Sequence, residues 1–251
     1  RGREIAQEMV VDMLLTALGE SCTLANTITD DGAFPMCDGR KITESPFFIN
    51  LMEHMDNDLE MCDLAHAINN YGLRNSQLLT IAPTGTISTM IGVSGGIEPI
   101  FAKSYTRTTK SLEGGEKTYK VYTPIVKEYM EKHGLKDESE LPDYFVTAQD
   151  MDYHDRIDMQ ATWQRFIDAS ISSTVNIPED FPRENVKDIY MYAWRQGCKG
   201  VTVFRDGCKR DSILTTKEAP ERGVVEHVGD DVVGKKRKLM TGCGSLHCSA
   251  F

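Results

Sequence analysis

The chain has 251 residues, 40% of them hydrophobic, and 28 Lys and Arg against 38 Asp and Glu leave a formal net charge of −10. That apolar content suffices for one large domain or one and a half, while the acidity argues against a protein that neutralises a DNA or RNA backbone. No apolar run approaches the roughly 20 residues of a membrane span, and Arg1-Gly2-Arg3-Glu4 opens no signal peptide. A soluble, cytoplasmic protein is expected.

In chain order, Ile5, Met9, Met13, Leu14 and Ala17 repeat at helical spacing, with Gly19 and Ser21 expected to end that helix. Asp30-Asp31-Gly32 and Cys37-Asp38-Gly39 mark a turn-rich stretch around Phe34-Pro35. Ser45-Pro46 supplies an N-cap and a first-turn proline for a helical region carrying Phe48, Met52, Met55 and Leu59 toward Tyr71-Gly72. Leu78, Leu79, Ile81 and Ala82 form an apolar, strand-like run that stops at Pro83. Residues 111–120 read as a polar hairpin tip around Gly114-Gly115, and residues 123–133 as a helix with Pro124 in its first turn. Charges in the connector 136–140 are expected to face solvent. A further helix is expected over 155–170, with Ile157, Ala161, Phe166 and Ser170 near one face.

A short β-branched strand at 173–177, an amphipathic helix at 182–196 and a strand at 200–204 have the spacing of a right-handed βαβ crossover, which makes the strands parallel. The helix face is read from Val186, Ile189, Tyr190, Ala193 and Trp194. With the run at 78–82 these strands fit an α/β barrel or open parallel sheet whose site lies at the strands' C-terminal ends. Residues 83–88, 178–180 and 205–207 would then share one rim. Residues 215–234 are polar and aperiodic and read as a linker; Lys235-Lys236-Arg237-Lys238 reads as a solvated strand entry.

The most informative segment is Pro83-Thr84-Gly85-Thr86-Ile87-Ser88. After a strand it offers backbone N–H groups and three hydroxyls without charge, the donors that wrap a phosphate when a helix N-terminus begins nearby. It has neither the lysine of a GxxxxGK[ST] loop nor a GxGxxG, and the same residue types also make an ordinary turn. A second glycine cluster, Gly92-Val93-Ser94-Gly95-Gly96-Ile97-Glu98-Pro99, implies a close approach to the main chain nearby. The seven cysteines, Cys22, Cys37, Cys62, Cys198, Cys208, Cys243 and Cys248, include no CxxC pair and no zinc spacing, so no metal site is expected and most are read as reduced core residues. Cys243 and Cys248, with His247 in a Gly-rich tail, are a candidate redox pair or two unrelated thiols.

These motifs, in order, resemble the large catalytic chain of ribonucleotide reductase, most closely the adenosylcobalamin-dependent class II. Gly32-Ala33-Phe34-Pro35 precedes Arg74-Asn75-Ser76-Gln77 and the run through Ser88; Gly95-Gly96-Ile97-Glu98-Pro99, with Phe101, Tyr105 and Arg107, comes next. Phe145-Val146-Thr147-Ala148, Thr174-Val175-Asn176-Ile177-Pro178, the run 197–207 and the tail from Lys238 to Gly244 complete the likeness. The resemblance implies that residues 1–214 are the C-terminal portion of a ten-stranded α/β barrel, 215–234 a linker and 235–251 the truncated start of a small C-terminal domain. It implies that Pro83, Thr84, Gly85, Thr86, Ile87 and Ser88 hold the phosphates of a ribonucleotide. It further implies adenosylcobalamin as cofactor, thiyl-radical reduction at the ribose, and re-reduction through Cys243 and Cys248 by a thiol reductant such as thioredoxin or glutaredoxin. The rest of the reductase would be a partner, and a homodimer is compatible with it.

The family's radical cysteine lies in an Asn-x-Cys-x-Glu loop, and no such motif occurs here. No catalytic residue is therefore assigned. With no initiating Met and an abrupt end at Cys248-Ser249-Ala250-Phe251, the chain is expected to be a fragment, inactive alone. Three alternatives stand beside this reading: a class I large chain served by a radical-generating partner subunit, an unrelated α/β enzyme binding a phosphometabolite, and a non-catalytic nucleotide-binding module. The unrelated enzyme would need an acid and base from such residues as Glu98, His154 or Asp206, of which Glu98 reads better as a turn anchor and His154 as a surface residue.

Overall fold

The structure is a computed structural model that describes residues 1–27, 32–55, 58–110, 116–207, 235–241 and 244–250. The turn at Asp30-Asp31, the hairpin tip at Gly114-Gly115, the linker 215–234, Cys208 and Cys243 lie outside the described residues. The chain divides into two compact units, Arg1–Thr216 and Lys217–Phe251.

The first unit opens with α1 (Gly2–Thr27), which continues through Gly19 rather than ending there. A mid-helix glycine costs about 1 kcal/mol, less than the burial of the turns beyond it, where Ser21, Cys22 and Ala25 are all buried. The buried face is Ala6, Val10, Val11, Leu14 and Leu18, whereas Ile5, Met9 and Met13 form a second apolar stripe that is about half exposed. Two short helices follow, α2 (Gly39–Thr43) and α3 (Pro46–Met52). The Ser45 hydroxyl accepts the Phe48 N–H at 3.2 Å, and Pro46 occupies the first turn, as the Ser-Pro pair predicts. Phe48 and Leu51 from α3 and Ile68 from α4 (Asp58–Tyr71) close over Val10, Leu14 and Leu18 in the larger core, with Phe166 and Ile167 as its far wall.

After α5 (Gly85–Ile91), β1 (Ser104–Lys110) and β2 (Glu116–Tyr122) form an antiparallel hairpin, and α6 (Pro124–His133) packs Val126 and Met130 against Leu141. The connector beyond α6 is more ordered than its charges imply. Asp137 and Glu140 make a reciprocal capping box around a single 3-10 turn, and Lys120 reaches Glu138 at 3.1 Å.

The parallel unit has the predicted crossover. β3 (Thr174–Ile177) pairs in parallel with β4 (Thr202–Arg205), and α8 (Val186–Arg195) lies between them in sequence, entered through a 3-10 turn at Arg183–Asn185. Ile189 and Ala193 of α8 pack on Val175 and Ile177. Tyr190 and Trp194, expected on that face, point outward at 48% and 71% exposure. The run at 78–82 adds a third parallel segment. Its hydrogen bonds go from Ala169 N–H to Leu79 O (3.0 Å) and from Ser172 N–H to Ile81 O (2.8 Å). The described residues thus form a mixed helix and strand fold with no closed barrel.

α7 (Tyr153–Gln164) ends six residues before the expected Ser170, and the reason is a side chain. The Gln164 amide donates to the carbonyls of Ile167 and Ala169, each at 2.9 Å, folding residues 165–169 into a turn. Lys199 Nζ lies on the same two carbonyls, at 3.5 Å from each, and also donates to Asp168 O between them. The turn aims the Asp168 carboxylate at the N–H groups of Leu78 (2.7 Å) and Leu79 (2.6 Å). That carboxylate starts the strand that carries the phosphate-loop candidate.

In the second unit β5 (Lys235–Thr241) and β6 (Gly244–Ala250) form an antiparallel hairpin, with Lys238 opposite His247 and Arg237 opposite Cys248. Among the described residues no helix is long and apolar enough to cross a membrane.

Two outcomes follow from these contacts. Replacing Asp168 by Ala leaves two backbone donors without their charged acceptor and is expected to lower unfolding free energy by about 2–6 kcal/mol, on the scale of one to three for each such bond; chemical denaturation of the intact protein measures it. Burial, aided by Asp158, pushes the Cys198 thiol from 9.0 up to about 11. A folded value above the unfolded one means that the thiol's contribution to stability is intact below pH 9 and is lost as pH rises through about 11. Native-state alkylation followed by peptide mapping is therefore expected to label exposed Cys62 well before Cys198, and Cys198→Ala to flatten the alkaline loss of stability.

Candidate functional site

The site is built where residues 78–82 stop pairing. In the parallel register, Ser172 N–H donates to Ile81 O, so the next rungs would run from a donor at position 83 to Ser172 O and from Thr174 N–H to Pro83 O. Pro83 has no N–H, and the first of these rungs cannot form. The chain leaves the sheet instead, turning through Thr84 in the left-handed conformation (φ 48°) into α5.

Thr84 occupies the N-cap position of α5, yet its side chain makes no capping bond to the helix. Its Oγ1 accepts the N–H of Gly96 at 2.9 Å. The N–H groups at the start of α5, which have no partner within a helix, are thus left without that cap. Pro83, Thr84, Gly85, Thr86 and Ile87 are all exposed. Ser88 differs: it is buried, and its hydroxyl donates to Gly85 O at 3.0 Å within the same turn. Ser88 therefore braces the turn, while the Thr86 hydroxyl and the first backbone donors face outward.

The second glycine cluster supplies the close approach its composition predicts, and what approaches is the loop itself. A Cβ on Gly95 would stand 3.0 Å from Pro83 O and 3.3 Å from Ser88 Oγ; one on Gly96 (φ 53°) would stand 3.1 Å from Ala82 O. Only glycine lets the two turns lie this close. Val93 N–H on Ser88 O (3.0 Å) and Glu98 N–H on Gly95 O (2.9 Å) complete the assembly.

Glu98 then crosses to β3. Its Oε1 accepts the Thr174 N–H at 2.6 Å, standing where Pro83 O would have continued the ladder. The other Thr174 backbone group on that edge, its carbonyl, accepts from Arg156 Nη2 at 2.8 Å, and the same nitrogen lies 3.7 Å from Glu98 Oε1. The Arg156 side chain is only 4% exposed; burial draws its guanidinium below the ordinary arginine range and the Glu98 charge draws it back up. Two grooves flank this corner. One of about 350 Å³ lies between Ile5 and Met9 of α1 and the turn Ser94, Gly96 and Ile97, and one of about 390 Å³ is bordered by Glu98, Pro99, Arg156 and Met159.

The rim is shared in direction but staggered in height. β3 and β4 end together, with Arg205 Nε donating to Glu179 O at 2.8 Å and Gln149 Nε2 to Asp206 at 3.3 Å. Pro83 leaves the sheet about level with Ser173, four residues before Ile177, a setback of about 13 Å at 3.3 Å per strand residue. His154 is half exposed and bonded to Asp152 at 2.8 Å, a surface pair on the first turn of α7. Of the two tail cysteines, Cys248 lies on β6 and Cys243 outside the described residues. Asp168 and Arg156, on which the loop's support rests, carried no motif, and Lys199, though inside the run 197–207, carried no sign of its partners 30 residues earlier.

Residues 1–204 match the sequence profile described as "Ribonucleotide reductase, barrel domain". A vitamin B12-dependent ribonucleoside-diphosphate reductase of Thermoplasma acidophilum is 36% identical over 179 residues, 62% of this chain and 23% of that protein. One from Mycobacterium tuberculosis is 32% identical over 159 residues, 57% of this chain and 23% of that protein. A vitamin B12-dependent ribonucleotide reductase of Rhodopirellula baltica is 30% identical over 201 residues, 67% of this chain and 19% of that protein. The chain spans less than a quarter of the length of these relatives. With the profile running from α1 through β4, the chain belongs to the ribonucleotide reductase barrel-domain family.

Proposed function

We propose that this chain is the part of an adenosylcobalamin-dependent ribonucleotide reductase that grips the phosphates of the ribonucleotide. The observation that carries the proposal is the exposed start of α5: Thr84 turns the chain and gives its side chain to Gly96, leaving backbone donors and the Thr86 hydroxyl outward at the end of a parallel strand. Such donors at a helix N-terminus suit an anion. Gly85, Thr86 and Ile87 make the contacts in this reading, and Pro83, Thr84 and Ser88 shape the loop. The vitamin B12-dependent relatives favour class II over a class I chain with a radical-generating partner.

In the complete enzyme, residues 1–214 would close the last part of a ten-stranded α/β barrel, 215–234 would link it, and 235–251 would begin a small domain whose Cys243 and Cys248 pass electrons from thioredoxin or glutaredoxin. The half-exposed stripe of Ile5, Met9 and Met13 on α1 is the face we assign to the rest of the reductase. We place the enzyme in the cytoplasm, as a homodimer. Adenosylcobalamin would supply the radical when bound. The two grooves beside Glu98, of about 350 and 390 Å³, have the size of small-ligand pockets and do not fit a corrinoid. None of the seven cysteines stands in an Asn-x-Cys-x-Glu motif, so this segment holds the substrate while the radical is handled elsewhere.

In the complete reductase, Thr86→Val is expected to weaken ribonucleotide binding by about 1–3 kcal/mol, the cost of losing a hydrogen bond to a charged group. Thr89→Val, which removes an exposed hydroxyl already bonded to Gly85 O at 2.8 Å, is the control. Equilibrium binding of substrate checks both, and equal affinity in wild type and Thr86→Val would sink the phosphate role.

A further inference from the structure

We propose that Glu98 is a positioning residue for the phosphate loop, acting through Gly96 and Thr84 rather than on the substrate; the proposal rests on the phosphate-binding reading above. Thr174 sits on the edge of β3 that residues 78–82 abandon at Pro83, and both of its backbone groups on that edge are met by side chains: the N–H by Glu98 at 2.6 Å and the carbonyl by Arg156 at 2.8 Å. Glu98 thereby replaces the missing rung of the ladder. Two residues earlier on the same turn, Gly96 N–H bonds Thr84 Oγ1 at 2.9 Å. Fixing Glu98 to β3 fixes Gly96, and Gly96 holds Thr84 at its left-handed φ, from which α5 and its first donors take their direction.

The chemistry distinguishes Glu98 from an acid or base. Its carboxylate is occupied by a backbone donor and faces a guanidinium at 3.7 Å, and the residue is only part exposed. What the position requires is an accepting oxygen on a side chain long enough to reach β3. Gln keeps that oxygen; Ala removes it.

In the complete reductase, Glu98→Ala is expected to raise the substrate KM at least tenfold with kcat within about threefold of wild type, and Glu98→Gln to restore KM to within about threefold. A direct role in proton transfer would instead lower kcat in the Gln variant as much as in the Ala variant, and that result overturns the proposal. The double variant Glu98→Ala with Thr86→Val separates this inference from the reading it rests on. Coupling through the loop predicts that the two substitutions together raise KM by less than the product of their separate effects. If Thr86→Val alone weakens binding but the two effects multiply, the phosphate reading stands and the positioning role fails. If Thr86→Val alone changes nothing, the phosphate reading fails and this proposal with it. Should Glu98→Ala not fold, Thr84→Val carries the test, because it removes the acceptor of Gly96 N–H and leaves Glu98 in place; an unchanged KM there overturns the proposal.

Discussion

The absence of one backbone donor at Pro83 organises this part of the molecule. A parallel ladder cannot pass a residue without an N–H in its interior, so the run at 78–82 leaves the sheet while its neighbour continues into β3. Two obligations follow. The departing chain must turn sharply, which it does through Thr84, and the edge it abandons must find new partners, since an unpaired buried backbone group costs about 1–3 kcal/mol. Glu98 and Arg156 meet the second obligation at Thr174. Burying an arginine to do so is itself unfavourable unless it is paired. Its Nε finds no partner among the described residues, so the carboxylate 3.7 Å from Nη2 offsets only part of that penalty.

The other end of the same short strand is set by side chains as well. Gln164 and Lys199 gather the carbonyls of residues 167–169 into a turn, and that turn presents Asp168 to the N–H groups of Leu78 and Leu79. Between Asp168 and Pro83 the strand has few backbone bonds of its own. Its position depends on α7, on the residues before β4 and on the larger core, where Leu78, Leu79 and Ile81 pack beside Ile171. A loop mounted on such a strand moves only if several distant elements move together.

Local signals were legible where the physics is local. Ser45-Pro46, Pro124 and the βαβ spacing read correctly because caps and crossover lengths are decided within a few residues. Gly19 misled because helix propensity was set against burial beyond it, which only the folded core supplies. The buried face of α1 was not legible for a related reason. Ile5, Met9 and Met13 do repeat at helical spacing, but Val10, Leu14 and Leu18 make the buried face, and a helix apolar on two sides does not announce which is inward. The end of α7 was invisible, since it depends on Gln164 bonding three and five residues ahead and on Lys199 thirty-one residues beyond Asp168. Glu98 was legible as an anchor, though not its partner, which lies 76 residues away.

The candidate loop contains no charge from Pro83 through Ile97, and this explains why its support is so elaborate. A lysine can follow a phosphate by rotating a long, flexible stem. Backbone N–H groups and a single hydroxyl cannot, because they bind an anion only if they already converge on it, and their strength comes from alignment at about 2.7–3.1 Å rather than from net charge. A neutral phosphate cradle therefore shifts the burden from the loop's own residues to those that hold its shape. Gly95 and Gly96 lie against the carbonyls of Pro83 and Ala82, Ser88 is turned inward, Thr84 is tied to Gly96, and Glu98 is tied to β3. In a chain of net charge −10, preorganised dipoles also avoid the neighbouring carboxylates that would compete for a cationic side chain. The residues that decide whether such a loop works are then mostly ones that never touch the ligand.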